Sequence, residues 1–370
     1  MKLERVIISG GGTGGHIFPA IAIADEIKRR FPTCHVLFVG AEGKMEMERV
    51  PKAGYKIKGL PIQGFQRKFS FANLKLPFKI IQSLLKARRI IKDFRPQLVI
   101  GVGGYASGPT LKMANLLGVP TLIQEQNSFP GKTNKLLAKK AAAICTAYPN
   151  MERFFPADKI HLTGNPVRID MVDITNKKEL GIEFFKLDKN KPTLLVIGGS
   201  LGAKTLNKSI KHGMEKLDQA GVQVIWQCGR LYHADLSISV NKRNLPSIHL
   251  HQFIERMDLA YATADVVISR AGAISVSELC IVAKPTILVP SPNVSEDHQT
   301  KNALALVDAH AAKLVRDDEA RNTLVQTTIE LISSITEQEK LTTEIKKFGK
   351  ANATHEIVDW CESIARKKWK

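Results

Sequence analysis

Short apolar runs rich in β-branched residues alternate along the chain with stretches in which apolar residues recur every three or four positions. Residues 6–9 form one such run, which ends in glycines. A predicted helix follows, with apolar residues at the i, i+3, i+4, i+7 positions Ala20, Ile23, Ala24 and Ile27. Further strands are predicted at residues 36–40, 98–101 and 121–123. This alternation predicts an α/β fold with parallel sheets covered by helices on both faces.

The second half repeats the pattern of the first. Residues 192–197 form a predicted strand that ends in glycines, and Leu206, Ile210 and Leu217 then share one face of a predicted helix. The segment 98–123 has a weak counterpart at 266–288, about 165 residues further on. Two Rossmann-like, doubly wound domains explain this repeat best.

We place the domain join near the Gly-Asn-Pro-Val-Arg sequence at 164–168. The predicted units are one domain at 1–166, a second domain at 167–348, and a tail at 349–370. The tail is predicted to be a helix that docks on another part of the protein, because one face carries Ile357, Trp360, Cys361 and Ile364.

Composition agrees with a globular protein of two domains. The chain has 370 residues, of which 44% are hydrophobic and 24% charged. Its five cysteines are scattered and include no Cys-x-x-Cys pair, which disfavours a disulfide framework and a thiolate zinc site. No run approaches the ~20 apolar residues of a membrane span, and no signal-peptide pattern is present. These features predict a reduced, cytoplasmic environment.

The positive charge is concentrated in the first half. Of a net charge of +19, residues 1–165 contribute most, with 26 Lys or Arg against 10 Asp or Glu. Such a basic half indicates an acidic partner, which could be nucleic acid, an anionic membrane or a phosphorylated substrate.

A glycine-rich turn at residues 10–16 separates the first strand from the first helix. It satisfies Gly-x-Gly-x-x-Gly at Gly10, Gly12 and Gly15, and Glu42 follows the second strand somewhat beyond the usual spacing of about 20 residues. An NAD-dependent oxidoreductase is therefore one open interpretation.

Three features favour a site for phosphate-bearing ligands other than NAD. Further glycine turns end strands at 101–105, 198–202 and 270–273. His16, inside the first turn, is placed to act as a base near pH 7. Glu278, early in the helix after Gly272, could accept two hydrogen bonds from a ribose diol or simply complement the helix dipole.

The sequence lacks several common motifs of metal and nucleoside-triphosphate sites. It has no Asp-x-Asp pair, no His-Glu-x-x-His motif and no Walker motif. We expect a metal-independent site and no cofactor.

Residues 66–89 mix apolar and basic side chains, which is typical of reversible binding to an anionic membrane leaflet. The surface candidates are Lys68, Phe69, Phe71, Leu74, Lys75, Phe78 and Lys79. A second basic cluster comprises Lys132, Lys135, Lys139 and Lys140.

In the alternative interpretation, Ile81, Leu84 and Leu85 are core positions of a helix with a solvated basic face. Nucleic acid could use the same charge, but aromatic residues are only 6% and no nucleic-acid-binding motif is present.

Eight motifs in order resemble one family closely. They are Gly-Gly-Thr-Gly-Gly-His at 11–16, Gly-Gly-Tyr-Ala-Ser-Gly-Pro at 103–109, Gln-Glu-Gln-Asn at 124–127, Gly-Asn-Pro-Val-Arg at 164–168, Gly-Gly-Ser-Leu-Gly-Ala at 198–203, Arg-Ala-Gly-Ala at 270–273, Ser-Glu at 277–278 and Asp-His-Gln at 297–299. Together they resemble the MurG family of peptidoglycan N-acetylglucosaminyltransferases across essentially the whole chain.

The resemblance implies a GT-B fold, with two Rossmann-like domains facing across a cleft. Residues 1–166 would be an acceptor- and membrane-binding domain and residues 167–348 a UDP-sugar-binding domain, with the tail helix at 349–370 docked back on the N-terminal domain. It also implies an inverting transfer of N-acetylglucosamine from UDP-N-acetylglucosamine to the muramoyl 4-hydroxyl of undecaprenyl-linked lipid I. The product would be lipid II for peptidoglycan biosynthesis, and so for cell shape and division. The enzyme would lie peripherally on the cytoplasmic face of the inner membrane, against its anionic leaflet, with no nucleic-acid partner.

The resemblance also assigns residues. Gly103, Gly104 and Tyr105 would hold the acceptor diphosphate. In such a reaction His16, already a candidate base from its place in the first turn, would be the catalytic base that removes the proton of the attacking hydroxyl. Donor contacts would come from Thr13, Gly14, Gly15, Asn127, Arg168, Ser200, Ile254, Ala273, Ile274, Ser275, Val276, Ser277, Glu278 and Gln299. Thr300 departs from members that carry a second glutamine there. A UDP-sugar epimerase with the same fold remains an alternative, as does a basic nucleic-acid-binding protein.

Overall fold

The structure is a computed structural model, and it describes residues 3–62, 76–199, 201–294 and 297–367. Two compact units divide the chain, one formed by residues 1–167 and 351–370 and the other by residues 168–350. We call them the N-terminal and C-terminal units.

The N-terminal unit contains a parallel sheet of seven strands. In chain order these are β1 (Arg5–Ser9), β2 (His35–Ala41), β3 (Lys56–Leu60), β4 (Leu98–Gly101), β5 (Thr121–Glu125), β6 (Ala143–Thr146) and β7 (Ile160–Leu162). Their spatial order is β3-β2-β1-β4-β5-β6-β7. The helices of this unit are α1 (Gly14–Arg30), α2 (Glu46–Lys52), α3 (Leu76–Phe94), α4 (Ser107–Leu116) and α5 (Lys132–Leu137).

Alternate residues of the central strand β1 serve two separate cores. Val6 and Ile8 pack into one core with α1, whereas Ile7 packs into the other on the opposite face of the sheet. This alternation follows from the two-residue period of a strand, and the near-continuous apolar sequence follows from burial on both faces.

The C-terminal unit contains a parallel sheet of six strands. These are β8 (Thr193–Ile197), β9 (Gln223–Gln227), β10 (Ile248–His251), β11 (Val266–Ser269), β12 (Thr286–Leu288) and β13 (Lys313–Leu314), in the spatial order β10-β9-β8-β11-β12-β13. Its helices are α6 (Ile169–Val172), α7 (Lys178–Phe185), α8 (Lys204–Gln219), α9 (His233–Arg243), α10 (Met257–Thr263), α11 (Ala273–Val282), α12 (His298–Val307), α13 (Ala320–Ser333) and α14 (Ile335–Lys346).

The last helix, α15 (Ala353–Lys367), belongs to the N-terminal unit although it follows the C-terminal one in sequence. Ile357, Cys361 and Ile364 are buried in the core that contains α1. Trp360 stacks on His161 with ring centroids 3.4 Å apart. The helix completes that core, because it covers the face of the sheet beside α1.

Both sheets have the strand order of a doubly wound fold, so each has one point, the switch point, where the order of the strands reverses. In the N-terminal sheet this point lies between β1 and β4, where Ser9 pairs with Gly101. In the C-terminal sheet it lies between β8 and β11, where Ile197 pairs with Ser269. The predicted repeat thus corresponds to β4 and β11, which hold equivalent positions in the two sheets.

All five cysteines are buried free thiols. Burial raises the pKa of Cys145 and Cys280 to about 12, so these thiols are packing groups and poor nucleophiles. Within the described part of the chain, no three His, Cys, Asp or Glu side chains gather in a metal-binding group. No helix among those residues combines the length and apolar character needed to cross a bilayer.

Candidate active site

Loops that follow adjacent strands at the switch points carry most of the predicted site residues. Ligands of doubly wound folds bind at the carboxyl ends of these strands, because the loops there diverge and leave a crevice. Each unit therefore presents a candidate ligand-binding crevice of its own.

In the N-terminal unit, the turn after β1 is occupied by a carboxylate of the protein itself. Oε2 of Glu46 accepts the backbone N–H of Gly12 at 2.8 Å, and Oε1 accepts that of Ala41 at 2.9 Å. Glu46 is only 1% exposed. A dinucleotide fingerprint uses such N–H groups for a pyrophosphate, so the buried carboxylate of Glu46 disfavours NAD in this turn.

Glu42 does not serve the turn either. It forms an ion pair with Lys86 on α3, with Nζ and Oε1 2.6 Å apart, and both side chains are about half exposed. The acidic residue of the NAD interpretation is thus held at the surface.

His16 lies in the first turn of α1 and is partly buried. Its Nδ1 is 3.1 Å from the carbonyl oxygen of Gly11 and 3.3 Å from Oγ1 of Thr13. A carbonyl oxygen can only accept, so Nδ1 carries a hydrogen and the lone pair of the neutral ring is on Nε2. This tautomer suits a general base that acts through Nε2.

The turn after β4 packs directly on the first turn. A Cβ atom on Gly103 would lie 2.8 Å from Nε2 of His16, and one on Gly104 would lie 2.4 Å from the Gly11 carbonyl oxygen. Both glycines also have positive φ angles, of 93° and 86°. Only glycine fits these two positions, and Tyr105 beside them is 50% exposed. The structure therefore brings His16 and the predicted acceptor-diphosphate turn together.

Asn127 is positioned by Glu125, a buried residue whose role the sequence did not reveal. Oε1 of Glu125 accepts the backbone N–H of Asn127 at 3.0 Å, while Oε2 accepts from Asn134 Nδ2 at 2.8 Å and from the Gly131 N–H at 3.2 Å. Burial raises the pKa of Glu125, although these donors oppose the shift. The Gln-Glu-Gln-Asn motif was the available signal, but it did not indicate which member supports the others.

In the C-terminal unit, the turn at 198–203 connects β8 to α8. Gly199 and Gly202 have φ angles of 78° and 89°. A Cβ atom on Gly202 would lie 2.2 Å from the carbonyl oxygen of Cys228, so this turn also requires glycine. Ser200, predicted to contact the donor, lies outside the described residues.

The second turn of this unit leads from β11 into α11. Gly272 is the N-cap of α11, and the predicted donor residues Ala273, Ile274, Ser275, Val276 and Ser277 form its first turns. Glu278 accepts a hydrogen bond from the Tyr261 hydroxyl at 3.1 Å. Burial raises the pKa of Glu278 to about 7, against the lowering effects of Tyr261 and the positive charge of Arg168. Arg168 itself donates to Asp170 at 2.7 Å.

The two remaining donor candidates are already hydrogen-bonded within this unit. The N–H of Ile254, which is 3% exposed, donates to Oε1 of Gln227 at 2.9 Å. Oε1 of Gln299 accepts the N–H of Ser291 at 2.8 Å, and Thr300 donates to Asp297 at 2.7 Å. These bonds fix the loops on which both candidates lie.

An unforeseen network joins the two glycine turns of the C-terminal unit. Asp317 accepts hydrogen bonds from Nη1 of Arg270 and, at 2.9 Å, from Oγ1 of Thr205. Arg270 also donates to the carbonyl oxygen of Val289 at 2.9 Å. Thr205 lies in the first helical turn of α8, next to the glycine turn at 198–203. Asp317 therefore links the start of α8 to the glycine turn that precedes α11.

The membrane candidates fall in two groups. Lys68, Phe69, Phe71, Leu74 and Lys75 lie outside the described residues. On α3, the candidate Phe78 is 71% exposed and the candidate Lys79 is partly buried. Of the residues that the alternative interpretation placed in the core, Ile81 and Leu85 are 57% and 63% exposed, and Leu84 is partly buried. The interpretation of Ile81 and Leu85 as core positions is therefore wrong, because the helix buries its opposite face instead, with Ser83, Ala87, Ile90 and Ile91.

Two family models match the chain: the glycosyltransferase family 28 N-terminal domain over residues 6–146 and the glycosyltransferase family 28 C-terminal domain over residues 193–357. With the two doubly wound sheets and their switch-point turns, they define a glycosyltransferase of the GT-B fold.

Individual relatives narrow this class. The chain is 56% identical over 358 residues to the UDP-N-acetylglucosamine–N-acetylmuramyl-(pentapeptide) pyrophosphoryl-undecaprenol N-acetylglucosamine transferase of Cytophaga hutchinsonii, covering 97% of this chain and 96% of the relative. It is 53% identical over 368 residues to the protein of that name from Parabacteroides distasonis, covering 100% of both. The crystal structure of Acinetobacter baumannii MurG matches with a TM-score of 0.78 and 30% identity, covering 97% and 99%. The chain belongs to the MurG family of N-acetylglucosaminyltransferases, and the resemblance predicted from its motifs is confirmed.

Proposed function

We propose that this protein transfers N-acetylglucosamine from UDP-N-acetylglucosamine to the muramoyl sugar of undecaprenyl-linked lipid I and so forms lipid II. The observation that carries the proposal is that glycine turns lead into helices at the switch point of each sheet, after β4 in the N-terminal unit and after β8 and β11 in the C-terminal unit. Such turns suit diphosphates, and this reaction has one diphosphate in its donor and another in its acceptor. High identity to transferases of this name over nearly the whole chain supports the same activity over an epimerase or an oxidoreductase.

The C-terminal unit binds the donor in this proposal. Glu278 accepts hydrogen bonds from the ribose diol, and Ile254 lies beside the uracil. The N-termini of α8 and α11, with Ser200 and Arg168, face the diphosphate. Residues 273–277 and Gln299 contact the remainder of the donor.

The N-terminal unit binds the acceptor. Gly103, Gly104 and Tyr105 hold its diphosphate. Thr13, Gly14, Gly15 and Asn127 contribute contacts to the N-acetylglucosamine of the donor. His16 is the general base, which is supported by its Nδ1–H tautomer and its contact with the Gly103 turn.

The chemistry is a single displacement with inversion at the anomeric carbon. The muramoyl 4-hydroxyl oxygen forms a bond to C1 of N-acetylglucosamine while the bond from C1 to the UDP oxygen breaks. The hydroxyl proton passes to Nε2 of His16, and the bonding electrons leave with UDP. Helix N-termini and Arg168 stabilise the negative charge that grows on the departing diphosphate.

Attachment to an anionic membrane leaflet completes the proposal, since the acceptor carries a polyprenyl chain. The support is the exposed apolar row of Phe78, Ile81 and Leu85 on α3 within the basic half of the sequence. A basic apolar surface of this kind binds anionic bilayers without spanning them. We place the enzyme on the cytoplasmic face of the inner membrane and assign it no nucleic-acid partner.

Thermal unfolding in the presence of ligands tests the donor assignment. A ligand at about 100 times its Kd stabilises the folded protein by roughly 2.7 kcal/mol. UDP-N-acetylglucosamine should raise the melting temperature by a few degrees in EDTA, and NADH should not. The activity test is transfer of labelled N-acetylglucosamine to a lipid I analogue. Stabilisation by NADH alone, or no transfer product, would refute the proposed function.

A further inference from the structure

One peptide bond in the first glycine turn is held from both sides by ionisable residues. The N–H of Gly12 donates to Glu46 Oε2 at 2.8 Å, and the carbonyl oxygen of Gly11 accepts from His16 Nδ1 at 3.1 Å. These two groups belong to the same peptide unit. The chain of contacts thus runs from the Glu46 carboxylate through one rigid amide plane to the His16 imidazole.

We propose that Glu46 is a positioning residue that holds His16 in the Nδ1–H tautomer through the peptide bond between Gly11 and Gly12. The proposal rests on the proposed function only in taking His16 as the base. It assigns Glu46 the orienting task that a carboxylate bonded directly to a histidine performs in other enzymes.

The turn needs such a restraint because it is built from glycines. Gly11 and Gly12 have φ angles of 148° and 86°, and glycine adopts either sign of φ readily. Rotation of the peptide plane by half a turn would direct the N–H of Gly12 at His16 Nδ1. The ring would then carry its hydrogen on Nε2, where it could not accept a proton.

The fold makes room for this particular carboxylate. A Cβ atom on Gly11 would lie 2.2 Å from Cδ of Glu46, and one on Gly40 would lie 2.5 Å from its Cγ. The carboxylate is thus enclosed between the first turn and the end of β2, where its other oxygen accepts the N–H of Ala41 at 2.9 Å. Both oxygens accept from backbone donors, so the side chain has one orientation.

Replacement of Glu46 by glutamine exploits this geometry. The N–H of Ala41 is fixed within β2, so it retains the single carbonyl oxygen of the new side-chain amide. The amide NH2 group then faces Gly12. The NH2 group and the N–H of Gly12 are both donors, so they cannot hydrogen-bond to each other. Rotation of the peptide between Gly11 and Gly12 would instead direct the Gly11 carbonyl oxygen at the NH2 group. Glu46→Gln should therefore favour the wrong His16 tautomer with little change of shape.

The direct test is the 15N spectrum of histidine-labelled protein at a pH where His16 is neutral, with its signals assigned by their loss in His16→Ala. The parent protein should show the Nδ1–H tautomer, and Glu46→Gln should show a larger share of the Nε2–H tautomer. An Nε2–H ring in the parent protein would overturn the proposal, and this measurement does not require Glu46→Gln to fold.

Kinetics supply the second test. Glu46→Gln should lower kcat about tenfold or more, less than the ~10²- to 10⁴-fold expected for loss of the base itself. The KM for UDP-N-acetylglucosamine should stay unchanged, and the same substitution in a His16→Ala background should have no further effect. Equal losses in both backgrounds would show that Glu46 does not act through His16.

The matched control is Glu48→Gln on the same helix. Glu48 is an exposed carboxylate that pairs with Lys52 at 2.6 Å, so its replacement should leave kcat unchanged. If His16→Ala itself keeps full activity, the base assignment of the proposed function fails. If His16→Ala is inactive while Glu46→Gln matches the parent protein in both tautomer and kcat, only the inference about Glu46 fails.

Discussion

Tyr261 on α10 donates its hydroxyl hydrogen to Oε2 of Glu278 on α11 across 3.1 Å. Burial and the neighbouring carboxylate raise the pKa of Tyr261 well above its usual value, so the phenol remains a donor at neutral pH. Burial also raises the pKa of Glu278 to about 7. The residue proposed to bind the ribose therefore changes its charge in the physiological pH range.

Donor binding should strengthen as the pH rises through 7. A carboxylate accepts two hydroxyl hydrogen bonds, whereas a protonated carboxyl has less acceptor capacity. We expect the affinity for UDP-N-acetylglucosamine, measured by calorimetry, to increase between pH 6 and pH 8. In Glu278→Gln the affinity should be about tenfold lower at pH 8 and nearly independent of pH. Equal affinities in variant and parent protein would refute the ribose role.

The same group makes folding stability depend on pH. The folded pKa of Glu278, about 7, exceeds the ordinary value of 4.5, so between these values the folded state binds more protons than the unfolded state. Protonation of Glu278 therefore contributes a few kcal/mol to the free energy of unfolding below about pH 4.5. This stabilisation is lost as the pH rises through 7. Denaturant unfolding should show Glu278→Gln gaining stability relative to the parent protein from pH 5 to pH 8. A constant difference would contradict the shift.

His16→Ala should lower kcat about 10²- to 10⁴-fold, the usual contribution of a positioned general base. The KM for UDP-N-acetylglucosamine should change little, because the proposed donor contacts are concentrated in the C-terminal unit. Steady-state kinetics with a soluble lipid I analogue measure both constants. Unchanged turnover would exclude His16 as the base.

Asp317→Asn should weaken donor binding indirectly, through the two turns that Asp317 connects. Asp317 accepts from both Arg270 and Thr205, so its loss releases the two turns that precede α8 and α11. We expect the KM for UDP-N-acetylglucosamine to rise roughly fivefold, which corresponds to about 1 kcal/mol. Asp318→Asn is the matched control, since the neighbouring Asp318 pairs with Arg316 at the surface, where both side chains are about two-thirds exposed. A similar KM in both variants would exclude the positioning role.

Replacement of Phe78, Ile81 and Leu85 by serine should reduce binding to vesicles that contain anionic lipid by at least about tenfold. Burying each apolar side chain contributes roughly 1.5–3 kcal/mol when it is complete. The control is Ile238→Ser on α9 of the C-terminal unit, where an isoleucine is equally exposed at 70%. Flotation measures the bound fraction, and equal flotation of both variants would count against the α3 surface.

Much of the fold follows from local pattern. Ala20, Ile23, Ala24 and Ile27 are buried on α1 as their spacing predicted, and Leu206, Ile210 and Leu217 are buried on α8. The strand–glycine–helix order was equally visible, because φ preferences and hydrophobic periodicity act within a few residues. The repeat between segments 98–123 and 266–288 indicated two similar sheets, because it too is a repeat of local hydrophobic patterns and glycine positions.

The apolar residues of α3 show where pattern alone stops. Ile81 and Leu85 have the same spacing as a buried face, yet the sheet contacts the other side of the helix. Periodicity identifies an apolar stripe but does not identify what covers it. The choice between core and surface depends on which neighbour arrives from elsewhere in the chain.

Ordered motifs and short-range conformational preferences were enough to indicate the family, the two doubly wound domains and the glycine turns. They did not predict the roles of three carboxylates: Glu46 fills the first turn, Glu125 supports Asn127, and Asp317 joins two turns. Each of them contacts backbone or side-chain donors that lie on separate elements. Such contacts form only when the sheet brings those elements together, and the burial that makes them strong arises from the packed fold.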